Sequence, residues 1–285
     1  MGLEGPVEGW VAILPDGSVF VIKGCEHPLP CLYAVPKRLG YVRVRDPWTP
    51  TRLDSWSKCL EGHYPIVCPE DSVAIINPVE FLERLLAAGF RDEIIETLVS
   101  SVGEGVGVTG SLVYEPWRSR DIDVVVYGCR GARRALEVVL ELWSKGVVES
   151  PGLGEYYATR REMSIEDWAT IAALNPLYFR HSSRAYSIKL VACTRPIRCK
   201  TRSRRLVETR VVVARGRGVP CTIPRLYEAV ADGFGRITVY TLRSSLSCMP
   251  GGTILEGVMA LEELEDGGKR LVPDGGVIGV QVLHA

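Results

Sequence analysis

The period of apolar and polar positions changes twice along this 285-residue chain. VEGWVAILPDGSVFVIKG, residues 7–24, holds two apolar runs split by Pro15-Asp16-Gly17, a turn signal between strands. CLYAVP at 31–36 continues in that style. YVRVRD at 41–46 alternates valine with arginine and predicts a two-faced or exposed-edge strand. Arg43 and Arg45 then line either a phosphate-binding face or, more simply, a solvated one. From Pro78 the spacing becomes helical: VEFLERLLAAGF and DEIIETLVSSV place apolar residues on one face, and Asp92 and Glu93 stand where a helix start favours acids. After a glycine-rich break come GVTGS, a loop and IDVVVYG, nearly all apolar apart from its acids, as expected of a strand covered on both faces. GARRALEVVLELWSKG predicts an amphipathic helix with a glycine stop, and residues 150–163 a connector. SIEDWATIAALN opens with a capping pattern, Ser164 and then Asp167, and predicts a helix. AYSIKLVAC returns to strand.

The last third is β again. ETRVVVARG, RITVYTLRS, TILEGVMALEEL and GVIGVQVLH are strand-like and separated by glycines, the pattern of a small barrel or sandwich. The expected fold is α+β in three parts: an N-terminal β domain over 1–75, a mixed sheet with helices over 76–200, and a C-terminal β domain, a small barrel or sandwich, over 201–285.

Composition narrows the classes of function. A 46% hydrophobic and 24% charged chain is ordinary for a globular protein, and zero formal net charge gives no overall pull toward nucleic acid or membrane. The longest uncharged run, 12 residues, is too short to span a bilayer. MGLEGPVEGW has neither the basic start nor the apolar stretch of a signal peptide, so the expectation is a cytoplasmic protein. None of the nine cysteines has the two-residue spacing of a zinc knuckle, which points to buried thiols. The amide side chains number three, Asn77, Asn175 and Gln281, a depletion seen in hyperthermophile proteins. Intracellular proteins of such organisms can carry disulfides, and Cys25–Cys31 and Cys193–Cys199 are then the candidate pairs.

The chemistry concentrates in residues 107–127, GVTGSLVYEPWRSRDIDVVVY. On a strand, Asp121 and Asp123 project from one face, about 6–7 Å apart at their Cα atoms. Two carboxylates so placed can share magnesium, and two ions about 3.5–4 Å apart can activate an attacking oxygen and stabilise a leaving pyrophosphate. Gly110 lets the backbone approach a phosphate, and Ser111 offers it a hydroxyl and an amide. Arg118 and Arg120, in the loop between, can neutralise phosphate charge. Trp117 beside them either stacks on a base or packs on the adjacent β domain.

Gly-Ser, a gap of nine residues, then Asp-apolar-Asp-apolar resembles the signature of the DNA polymerase β-type nucleotidyltransferase superfamily. The resemblance covers about 20 residues closely, with a helix before and after them. It implies a nucleotidyltransferase-type mixed sheet. Gly110 and Ser111 would bind the nucleotide's phosphates, and Asp121 and Asp123 two magnesium ions. More loosely, DGSVFVIKGCEHP, CTIPRLYEAV, VYTLRSS and EGVMALEEL resemble an archaeal family of predicted nucleotidyltransferases whose transferase core lies between two β segments. That family brings no established substrate.

The superfamily normally draws a third carboxylate from a later strand. AYSIKLVAC, the natural candidate, has no acid, and Ser187 or Lys189 stands where one is expected. Three outcomes are open: another acid such as Glu155 or Glu208 reaches in, two acids suffice with water, or the site binds nucleotide and metal without turnover. The first makes the chain, like the second, a magnesium-dependent nucleotidyltransferase acting on an NTP; the third makes it a nucleotide- or RNA-binding protein.

Elsewhere, RPIRCKTRSRR at 195–205 is the densest basic run. Arg198, Lys200, Arg202, Arg204 and Arg205 could grip RNA or another nucleic-acid acceptor, or form a solvated linker. The run has no interleaved aromatic residue for stacking. His27 reads as structural, His181 as a structural residue or a phosphate contact beside Arg180 and Arg184, and Trp143 and Trp168 as core.

Overall fold

The computed structural model describes residues 3–40, 42–43, 66–116, 119, 121–151, 165–273 and 278–282. Among them no helix is long and apolar enough to cross a membrane. The described residues are α+β and mostly strand, built on three larger sheets and one two-stranded ladder.

The first sheet has the order β5 (Val42–Arg43), β4 (Leu32–Leu39), β2 (Val19–Ile22), β1 (Val11–Ile13), β7 (Ala74–Ile76), with β6 (Ile66–Val67) also on β4. The expected turn is there: Asp16 accepts from the Ser18 amide at 2.8 Å, and Val11–Ile13 pairs antiparallel with Val19–Val21. Val42 is 70% exposed on the edge strand it forms with Arg43; Tyr41 and residues 44–46, Arg45 included, lie outside the described residues. β3 (Glu26–His27) leaves this sheet and pairs in parallel with β12 (Ile197–Arg198).

The middle of the chain forms a mixed sheet, β10 (Tyr178–His181), β11 (Arg184–Val191), β9 (Asp121–Tyr127), β8 (Val106–Thr109). β9 runs antiparallel to β8 and parallel to β11. Helices α1 (Pro78–Ala87), α2 (Glu93–Val102) and α4 (Cys129–Ser144) cover one face; Leu82, Ile94, Leu98, Ala135 and Val139 pack there against Val108, Ile122, Val124, Val126 and Ile188. α1 is capped by Asn77, which accepts from the Val79 amide, and α2 by Asp92, which accepts from Ile95. α3 (Ser111–Tyr114) is a single turn between β8 and β9. α5 (Ile165–Leu174) is the expected fourth long helix; the side chains of Asp167 and Trp168 lie outside the described residues.

The last third is a closed five-stranded barrel: β13 (Thr201–Gly216), β15 (Arg225–Ala231), β16 (Gly235–Thr241), β18 (Lys269–Val272), β17 (Thr253–Leu264) and back to β13, with β16–β18 the one parallel pair. β14 (Thr222–Ile223) joins the mixed sheet at the far end of β11, and β19 (Ile278–Val282) adds to β17. Of the two architectures expected here, the barrel is the one formed. β15 and β18 are additional to the expected strands. Each buries an arginine, Arg225 and Arg270, at a core-facing or junction position, and that breaks the apolar alternation by which a strand is read.

The three sheets share interfaces. Tyr33 and Val35 of the first sheet pack on Tyr240, Leu242, Ala260 and Val272 of the barrel. Beneath that contact, Arg270 donates to Glu262 at 2.7 Å and to both oxygens of Glu26 at 2.9 and 2.7 Å, with its guanidinium 4.0 Å from the Tyr240 ring centroid.

Seven described cysteines are disulfide-bonded, which corrects the expectation of buried thiols. The pairs are Cys25–Cys193, Cys31–Cys68 and Cys221–Cys248, and Cys199 is also bonded; Cys129 is free. Cys25 is not joined to Cys31, nor Cys193 to Cys199. The parallel β3–β12 ladder brings residues 168 positions apart together, so tertiary pairing overrides sequence proximity.

Candidate active site

β8 delivers Thr109 opposite Asp123. The chain then turns at Gly110, φ +66°, and enters α3 at Ser111. Glycine is required there twice over: the φ is left-handed, and a Cβ would stand 2.1 Å from Asp123 Oδ2. The Asp123 carboxylate therefore lies directly against the Gly110 backbone. Ser111 Oγ donates to Asp121 Oδ1 at 3.2 Å. Ser119 also belongs here, and the sequence reading missed it: its Oγ is 2.9 Å from Ser111 Oγ and donates to the Asp121 carbonyl at 2.6 Å. A hydroxyl two residues before an acid was the available signal.

Strand alternation puts Asp121 exposed and Asp123 half-buried on the face opposite the helices, with Ile122 and Val124 packed behind. Farther along that face, Val125 and Tyr127 are buried under Val7, Gly9 and Trp10 of the N-terminal segment. The Tyr127 hydroxyl donates to the Glu8 carbonyl at 2.8 Å, and burial holds its pKa well above the ordinary tyrosine value. The Thr109 hydroxyl donates to the Gly9 carbonyl. The acid face is thus roofed at one end and open at the other, where the acids stand.

Register fixes the rest of the face. Asp121 lies beside Ala185 and that beside Arg180; Asp123 beside Ser187 and that beside Tyr178; Val125 beside Lys189. Ser187, rather than Lys189, occupies the place next to Asp123. Among the described residues no group of three or more His, Cys, Asp or Glu could hold a metal together. Glu155 lies outside the described residues, and Glu208 is on β13 opposite Val258 in the barrel. Arg118, Arg120 and Trp117 lie outside the described residues.

The Asp123 side chain makes no hydrogen bond or ion pair among the described residues, and the same holds for the half-buried Lys189 side chain. Two carboxylates, one of them otherwise uncommitted, are hard oxygen donors that suit magnesium.

The basic run divides. Arg198, Lys200, Arg202 and Arg205 are exposed. Arg204 is not on that surface: its side chain is 5% exposed and turns into the barrel junction, 3.7 Å from Glu262. There Glu262 is in turn paired with Arg270, which also holds Glu26 of the N-terminal segment. Arg195 is an exposed neighbour of Glu4.

The two described histidines, His27 and His181, are held structurally. His27 is buried, its Nδ1 accepts from the Tyr33 amide at 3.2 Å, and burial pushes its pKa down to about 4. His181 contacts the Val147 carbonyl at 2.9 Å and Glu93 at 3.1 Å, and its pKa is raised chiefly by that carbonyl. Trp143 packs in the helical core as expected and donates to the Pro176 carbonyl at 2.8 Å. No protein-family model, curated protein or solved structure matches this chain.

Proposed function

We propose that the chain is a magnesium-dependent nucleotidyltransferase of the DNA polymerase β type, which moves a nucleoside monophosphate from an NTP to an acceptor. The observation that carries this reading is the seating of Asp123 against Gly110, with Ser111 bonded to Asp121. The Gly-Ser pair and the acid pair, nine residues apart in sequence, form one constellation. Magnesium bound by Asp121 and Asp123 would supply Lewis-acid stabilisation of phosphate charge. Gly110 and Ser111 would hold the triphosphate. The acceptor oxygen attacks the α-phosphorus, its new P–O bond forms as the bond to pyrophosphate breaks, and the acceptor proton leaves to solvent.

An oligonucleotide acceptor fits two further features. Arg198, Lys200, Arg202 and Arg205 present exposed charge to a phosphate backbone. The chain also carries a closed five-stranded barrel, and small five-stranded barrels are among the folds that bind oligonucleotides. A cytoplasmic location agrees with this chemistry, since NTPs are cytoplasmic, and a thermophilic archaeal source with the disulfides.

The second reading, a nucleotide- or RNA-binding protein without turnover, is favoured by Ser187 at the place of a third acid. Transfer of label from α-labelled NTPs to RNA, DNA, protein or small acceptors separates the two. Transfer that needs magnesium and disappears in Asp121→Ala and Asp123→Ala supports the enzyme. NTP binding with no transfer to any acceptor supports the binding protein.

A further inference from the structure

The acid face holds two half-buried charges of opposite sign that do not meet. Asp123 on β9 and Lys189 on β11 point from the same face of adjacent strands. Lys189 stands two residues beyond Ser187, the neighbour of Asp123, which places the two backbones within about 8 Å by strand rise and spacing. A lysine's flexible four-carbon stem can cover such a gap. Yet no ion pair forms between them, and neither side chain has another hydrogen-bond or ion-pair partner among the described residues. Partly buried charges are costly unless paired, and folded chains ordinarily close them on each other. Between the two lies Ser187, a small side chain beside Asp123 on the same face.

Resting on the nucleotidyl-transfer reading, we infer that Lys189 is a triphosphate-binding residue that supplies, as a fixed ammonium, the positive charge a second metal ion would otherwise bring. With Ser187 where a third carboxylate would stand, Asp121 and Asp123 hold one divalent ion. The ligand that fits the gap is a metal-bound polyphosphate: its cation faces Asp123 and its anionic oxygens face Lys189. Such a ligand satisfies both charges at once, as neither a metal ion nor a phosphate does alone. The absence of the third acid is then part of a different charge arrangement rather than the decay of a site.

The test uses the whole chain with Mn2+ and inorganic tripolyphosphate. Mn2+ binding is read by electron paramagnetic resonance of the free ion, and tripolyphosphate binding by calorimetry in the presence of Mn2+. Wild type binds one Mn2+ per chain. Lys189→Met, which keeps the stem and removes the charge, weakens tripolyphosphate about tenfold, the size of one charge-assisted contact, and leaves Mn2+ stoichiometry unchanged. Lys189→Arg retains affinity. Ser187→Asp raises the stoichiometry to two. Two Mn2+ ions in wild type, or tripolyphosphate affinity indifferent to Lys189→Met in a variant with an unchanged melting temperature, overturns the role of Lys189 while the acid site stands. Wild type that binds no Mn2+, or binding indifferent to Asp123→Asn, overturns the nucleotidyl-transfer reading itself and the inference with it.

Discussion

Two sets of charges in this molecule are treated in opposite ways. At the junction of the first sheet and the barrel, Arg270, Glu262 and Arg204 are almost wholly buried, Glu26 is 20% exposed, and the four charges are paired with one another. On the acid face, Asp123 and Lys189 sit on neighbouring strands, half-buried, and do not close. The first set is bidentate, stacked on Tyr240 and placed where three segments meet. Its charges are paired within the chain. The second is left for something outside the chain to satisfy, as a binding site requires.

The contrast predicts that breaking closed charges costs stability, whereas neutralising open ones does not. Arg270→Met removes the closest charge partner of buried Glu262 and should cost about 3–5 kcal/mol in urea unfolding. A loss under about 1 kcal/mol would mean that the junction is not the closed network described.

His27 gives the next effect. Its folded pKa, about 4, is below the ordinary 6.5, so the neutral form is favoured on folding. Its contribution is complete above pH 6.5 and lost as pH falls toward 4, on the order of 3 kcal/mol in all. His27→Gln should flatten that part of the stability–pH curve, and an unchanged slope sinks the assignment.

Gly110→Ala is expected to cost about 1–2 kcal/mol for its left-handed φ. Because the new methyl group meets Asp123, it should also abolish Mn2+ binding. Normal Mn2+ affinity in this variant would separate Gly110 from the acid pair. The smallest effect on stability belongs to Asp123→Asn, within about 0.5 kcal/mol of wild type or more stable. A clear loss would show that Asp123 is structural.

The sequence made the acid face legible because its two elements are local. Alternation over Asp121–Tyr127 and the left-handed glycine before Ser111 need no distant partner. It left open whether Ser187 or Lys189 faces the acids, since that depends on the β9–β11 register, a property of two strands at once. Arg204 looked like its exposed neighbours because its burial goes with Glu262, a partner 58 residues later in the chain on another barrel strand. The disulfide partners were hidden in the same way, and buried Arg225 and Arg270 masked two barrel strands. What sequence shows is the local period; what it conceals is pairing between distant segments.

The most direct measurement is transfer of α-labelled nucleotide by wild type and Asp123→Asn across acceptors, RNA among them, with and without magnesium. Magnesium-dependent label in wild type and none in an equally stable Asp123→Asn is the expected result. Equal labelling by both proteins, with Asp123→Asn folded, would contradict the assignment of the acid face as the site of chemistry.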